Sequence, residues 1–128
     1  MTVRLQHNGL GIVTAALVAY NTLKYFQWGV GSDPGSSSNT LGSTAGTTES
    51  RVAGTLSQAT TTVANDTYQA VATLVAAESL SVTELGLFDA AGAGSPPTGG
   101  NLGWYAVFST IGLAPLDSIT FTAQVQFQ

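Results

Sequence analysis

The chain contains no cysteine, which excludes a disulfide framework and any thiolate metal site. Histidine is almost as scarce: His7 is the only one, and no partner for a triad or a metal cluster stands near it. Charge is the third shortage. Lys, Arg, Asp and Glu supply 8% of the residues, against about 25% in an average soluble domain. The three cations, Arg4, Lys24 and Arg51, cannot form the clustered basic stripe that tracks a phosphate backbone, so nucleic-acid binding is set aside.

Long apolar runs are also missing. The best, residues 10–20 (LGIVTAALVAY), falls well short of the roughly 20 residues that span a bilayer, so no membrane role is expected. The run could pass for the apolar part of a secretion signal. However, a single basic residue, Arg4, precedes it, and Tyr20-Asn21 is a poor cleavage context. It reads better as a buried helix of the mature protein.

Apolar residues nevertheless make up 44% of 128, enough for one domain, residues 1–128, with its own core. A disordered chain shows the reverse balance, high charge with little apolar content. The surface must therefore be finished with Ser, Thr, Asn, Gln and Gly. A free monomer ordinarily carries more charge to stay soluble, so such a surface suits a protein that works against neighbours.

Leu10, Val13, Leu17 and Tyr20 recur at helical spacing and predict a helix over about 8–21 with Asn8 near its start, since Asn caps free N–H groups well. Residues 22–31 (TLKYFQWGVG) carry bulk on both faces and read as an inner strand. A long loop, 31–48, is built of Gly, Ser, Thr and one Pro, with Leu41 as its single apolar anchor and contact candidate. Strands are then expected over 51–63, 67–76, 80–88 and 102–111, with a Pro- and Gly-rich loop at 91–101. The last strand is the clearest. Ile119, Phe121, Ala123, Val125 and Phe127 alternate strictly with Thr120, Thr122, Gln124 and Gln126, the pattern of a half-buried antiparallel strand. The fold class is mainly β: an antiparallel β-sandwich or flattened barrel with one N-terminal α-helix.

Chemistry is hard to find. No Ser sits in a nucleophile elbow, no phosphate-binding glycine pattern precedes a helix, and the seven acids lie mostly in or beside turns. No catalytic residue, metal or cofactor is expected. Glu84 stands apart. In LSVTELGLF it falls in phase with Leu80, Val82 and Phe88, the face expected inside, where a carboxylate needs a partner. One reading pairs it with Arg51, fixing strand register. The other places a β-bulge at Glu84, returning it to solvent and turning Leu85 and Leu87 inward.

Read in order, the chain offers an NGL helix start, the aromatic-Trp-Gly-x-Gly strand of residues 26–31, TLGS through E-x-R over 40–51, TELGLFDA over 83–90, GGNL, and DSITFTAQVQF over 117–127. Nearly the whole chain thereby resembles a family of short virion structural proteins of tailed bacteriophages, in which a TE-x-G-(L/I)F stretch and a closing DS-(I/L)-TFT strand recur. The resemblance implies a non-catalytic particle component. A stand-alone β-domain of this size favours capsid decoration: a homo-oligomer, with a trimer favoured, that bridges major capsid protein subunits through loops 31–48 and 91–101 and the N-terminal segment. The alternative is a tail or tail-fibre part. There Trp104 and Tyr105 would line a glycan site; the other reading is a buried cross-strand aromatic pair, since Trp104 sits mid-strand.

Overall fold

In the computed structural model, which describes residues 1–128, one helix precedes seven strands: α1 (His7–Tyr20), β1 (Tyr25–Gly29), β2 (Val52–Ala53), β3 (Thr55–Ala59), β4 (Thr67–Val75), β5 (Leu80–Phe88), β6 (Leu102–Leu113) and β7 (Ser118–Gln126). The strands form two sheets, β2-β1-β5-β6 and β3-β4-β7, and every pairing is antiparallel. The sheets pack together as a sandwich, with no closed barrel. Between them lie Phe26, Trp28, Tyr68, Ala70, Leu74, Val82, Leu85 and Leu87. Burying one large apolar side chain contributes roughly 1.5–3 kcal/mol, so this layer holds the two sheets together.

The strand expected over 51–63 is two short strands, because the chain changes sheets at Gly54: β2 pairs with β1 and β3 with β4. A Cβ on Gly54 would lie 2.6 Å from the Phe26 ring, so only glycine lets the backbone pass so close to the core. This crossover joins one edge of each sheet. The other two edges, β6 and β7, lie across from each other on the opposite flank, where the rings of Phe108 and Phe121 stand 5.9 Å apart.

The helix packs against β3 and β4 but presents a different stripe from the expected one. Leu10 and Thr14 are buried, Leu17 and Val18 reach the core, and Tyr20 is exposed. Thr14 takes an apolar position because its hydroxyl donates to the Asn65 carbonyl at 2.6 Å and lies 2.8 Å from the Gln58 amide, which donates to it. Asn8 is inside the first turn; Gln6 occupies the N-cap position and makes no side-chain cap bond. At the other end Asn21 closes the helix in the left-handed conformation, its N–H donating to Leu17.

Strand β5 changes faces midway. Leu80 and Val82 point into the core, and so do Leu85 and Leu87. Between them the register with β6 shifts: Val82 opposes Ile111, but Glu84 opposes Val107. The inversion carries Glu84 and Gly86 to the outer face. Around these two residues that face is not open to water, because loop 31–48 lies over it.

Candidate functional site

Glu84 has no solvent exposure. One carboxylate oxygen accepts the N–H groups of Gly31 at 3.0 Å and Ser43 at 2.9 Å. The other accepts the Gly42 N–H and the Tyr105 hydroxyl, both at 2.9 Å. Four donors converge on a group that, ionised, only accepts, and three of them are backbone groups of the long loop. The arrangement needs close approach. A Cβ on Gly29 would collide with the Glu84 carboxylate, and one on Gly31 or Gly42 with loop backbone. Burial, then the hydrogen bond to Glu84 and its negative charge, push the Tyr105 hydroxyl up to about 12.

The expected Glu84–Arg51 pair does not form. The Arg51 guanidinium donates to Gln27 Oε1 at 2.8 Å, to the Ala90 carbonyl at 2.9 Å and to the Gly99 carbonyl at 2.8 Å, and lies 3.6 Å from the centre of the Phe88 ring. Burial disfavours its charge and nearby Asp89 supports it, the net pKa being lowered. Gln27 completes the group by donating to the Pro97 carbonyl at 3.2 Å. Each charge is met mainly by backbone of a different segment, Glu84 by loop 31–48 and Arg51 by the carbonyls of Ala90 and Gly99, and not by the other. The bulge alternative is half realised. Leu85 and Leu87 do turn inward, but Glu84 meets loop N–H groups rather than solvent.

Leu41 is 6% exposed and seated against Gly86, where a Cβ would lie 2.8 Å from it. It holds the loop down from inside and offers no surface to a partner, which corrects its assignment as a contact residue. Another carboxylate organises a turn. Asp66 accepts from the N–H groups of Thr61, Thr62 and Val63, from the Thr67 hydroxyl and from Gln126. Burial opposes its ionisation, yet these bonds hold its carboxyl well below the usual carboxylate range. Glu49 behaves alike: burial would raise it, but the Ala77, Glu49 and Thr48 N–H groups and the Trp28 indole lower it.

Trp104 and Tyr105 part company. Trp104 faces inward beside Tyr68 and Phe127, at 6.3 and 6.4 Å between ring centres, and its indole N–H is buried without an acceptor. Tyr105 faces outward onto Glu84. Adjacent strand residues point to opposite faces, so the two rings form no shared sugar platform, and the aromatic neighbours of Trp104 come from across the sandwich. His7, exposed, lines a broad hollow of about 1000 Å³ with Arg4, Asn8, Asp66 and Gln126. Asp66, the carboxylate there, is already occupied by its own turn. No group of three or more His, Asp or Glu side chains converges as a metal site, and no helix is long and apolar enough to cross a membrane.

The remaining feature is the open flank. Strand β6 pairs only with β5, and β7 only with β4. Neither contains a charged residue or a proline. Between them runs an apolar cleft of about 280 Å³ lined by Leu85, Leu87, Trp104, Phe108, Phe121 and Val125. The apolar side chains of β7 are half-buried there rather than enclosed. Periodicity had marked these residues as a core face; nothing in it could show that one side of that core stays uncovered.

The fold and this flank define the class: a small antiparallel β-sandwich whose buried charges fasten loops and whose uncharged edges are open. Comparison with family models, curated proteins and solved structures gives no match.

Proposed function

We propose that the chain is a non-catalytic structural component of a tailed-bacteriophage particle, a homo-oligomeric decoration protein that sits on the capsid and bridges neighbouring shell subunits. The observation that carries this reading is the open flank: two edge strands with no charge and no proline, devices by which edges are ordinarily protected from pairing. The ordered motifs from residue 26 to residue 127 supply the particle context by resemblance. Three further features support the reading. The buried titratable groups Glu84, Arg51 and Asp66 are engaged by their own loops and turns, which argues against catalytic use. Loops 31–48 and 91–101 are fastened before any partner arrives, so docking through them costs little conformational entropy. Their surfaces, polar and uncharged apart from Asp33, suit wide, wet contacts whose modest energy is multiplied by copy number.

Copy number in purified particles, measured by quantitative mass spectrometry against the major shell protein, tests this directly. The decoration reading expects a ratio approaching one chain per shell subunit, or one trimer per few subunits. About a dozen copies or fewer, the kind of count a symmetric tail ring allows, would move the protein to the tail. Absence from the particle would end the virion reading.

A further inference from the structure

The first six residues have no regular structure, yet they alternate like a strand. Met1, Val3 and Leu5 are 116%, 83% and 45% exposed, and the residues between them are Thr2, Arg4 and Gln6. Leu5 rests against Gly9 of its own helix, whereas Val3 is largely in water. Such a segment presents one apolar and one polar edge, the same pattern as β7.

The open flank lacks what this segment could supply. One sheet has four strands and the other three, and the side of β7 away from β4 is unpaired. The cleft beside it is apolar, and at about 280 Å³ it exceeds the roughly 150 Å³ in which an apolar cavity takes up a benzene ring. Its edges carry no charge, so they neither attract a charged partner nor repel a second copy of a chain whose net charge is −4. Six extended residues reach roughly 20 Å, about two thirds of the length of β7.

We infer that residues 1–6 of a second copy of this chain add a strand to the free edge of β7, seating Met1, Val3 and Leu5 in the cleft against Trp104 and Phe108. The smaller sheet then becomes β3-β4-β7-segment, four strands facing four. Reciprocal exchange closes a dimer; head-to-tail exchange closes a ring, the trimer among them. The inference rests on the fold and the exposed segment, not on the particle reading, and the purified chain alone suffices to test it.

The absence of cysteine makes the test clean. Copies carrying Val3→Cys are mixed with isotope-labelled copies carrying Val125→Cys, oxidised gently, and read by mass spectrometry beside a control pair of Val3→Cys and Val75→Cys. In parallel, sedimentation velocity follows assembly of the unaltered chain and of Val3→Asp. The expected results are a mixed disulfide between the thiols introduced at positions 3 and 125, well above the control, and an assembly constant weakened about 10- to 100-fold by Val3→Asp, the factor a buried valine represents. Because Val3 is exposed in the single chain, the thermal unfolding of dilute Val3→Asp should match the unaltered chain, which separates loss of assembly from loss of folding. A chain that stays monomeric at every concentration reached overturns the inference. So does an oligomer indifferent to Val3→Asp, or a mixed disulfide no more abundant than the control.

Discussion

The outer face of the larger sheet and the open flank share strand β6 but use it to opposite ends. Over the outer face, β5 and β6 contribute Glu84 and Tyr105, and the Glu84 carboxylate is met by three N–H groups of a loop of the same chain and by the Tyr105 hydroxyl. Along the flank, β6 and β7 contribute Trp104, Phe108 and Phe121 to a cleft that nothing in the chain fills. The first region is finished internally with charge, which is costly when unpaired and therefore specifies its partners. The second is left apolar and neutral, which tolerates exposure at modest cost and rewards whatever covers it. Changes in the first region should therefore act on folding, and changes in the second on association.

The largest effect should come from Glu84→Leu. It leaves three loop N–H groups and the Tyr105 hydroxyl without their acceptor, and unfolding by urea should show a loss of about 3–5 kcal/mol, with loop 31–48 becoming accessible to protease. A stability within 1 kcal/mol (about the worth of one ordinary hydrogen bond) would mean the loop is held mainly by Leu41 and shape. Arg51→Met comes next, at about 2–3 kcal/mol, because the Ala90 and Gly99 carbonyls lose their donor while the stacking on Phe88 is only partly replaced. Loosening should then appear in loop 91–101 by hydrogen exchange.

Two pH limits follow. The Tyr68 and Tyr105 hydroxyls are raised to about 12, Tyr68 by burial and Tyr105 first by burial and then by Glu84. Folding thus favours their protonated forms, and that contribution is complete below the unfolded phenol value near 10 and is lost as pH rises from about 10 through about 12. At the acid end Asp66, Asp89 and Glu49 are all lowered. Their contribution is present above about pH 4 and disappears as pH falls through their folded values. A melting temperature measured across both ranges should be flat between them. Thr14→Val, smaller again, should cost about 1 kcal/mol by removing the bond to Asn65 and the acceptor of one Gln58 N–H, while Gln58 keeps its bond to the Gly11 carbonyl. Smallest of all on folding is Val107→Lys, at an exposed outward position of an edge strand. It should leave single-chain stability within about 0.5 kcal/mol while protecting the edge from pairing.

The contrast between the regions also marks how far the sequence could be read. Strands β4, β5 and β7 appear within a residue or two of where alternation and turn residues placed them, because period-two patterning and Asn, Asp, Gly and Pro act locally. The split at Gly54 was not legible: a crossover between sheets leaves the same Thr-rich pattern as one strand. Thr14 was passed over as polar because its partners, Asn65 and Gln58, are distant in sequence. Glu84 is the most instructive. Its phase with Leu80 and Val82 marked it as buried, and it is buried, but on the opposite face, reached through a shift in register and covered by a loop whose composition carried no such signal.

By itself, then, the sequence determined that the chain folds into one β-rich domain with a helix in front, how its last strand alternates, and that its surface has almost no charge. Those properties depend on residue types and their spacing over a few positions. Only the tertiary structure decided which loop each buried charge fastens and which flank stays open. Those depend on backbone N–H and carbonyl groups, which every residue carries alike, and on strand edges, which exist only once the sheets have formed.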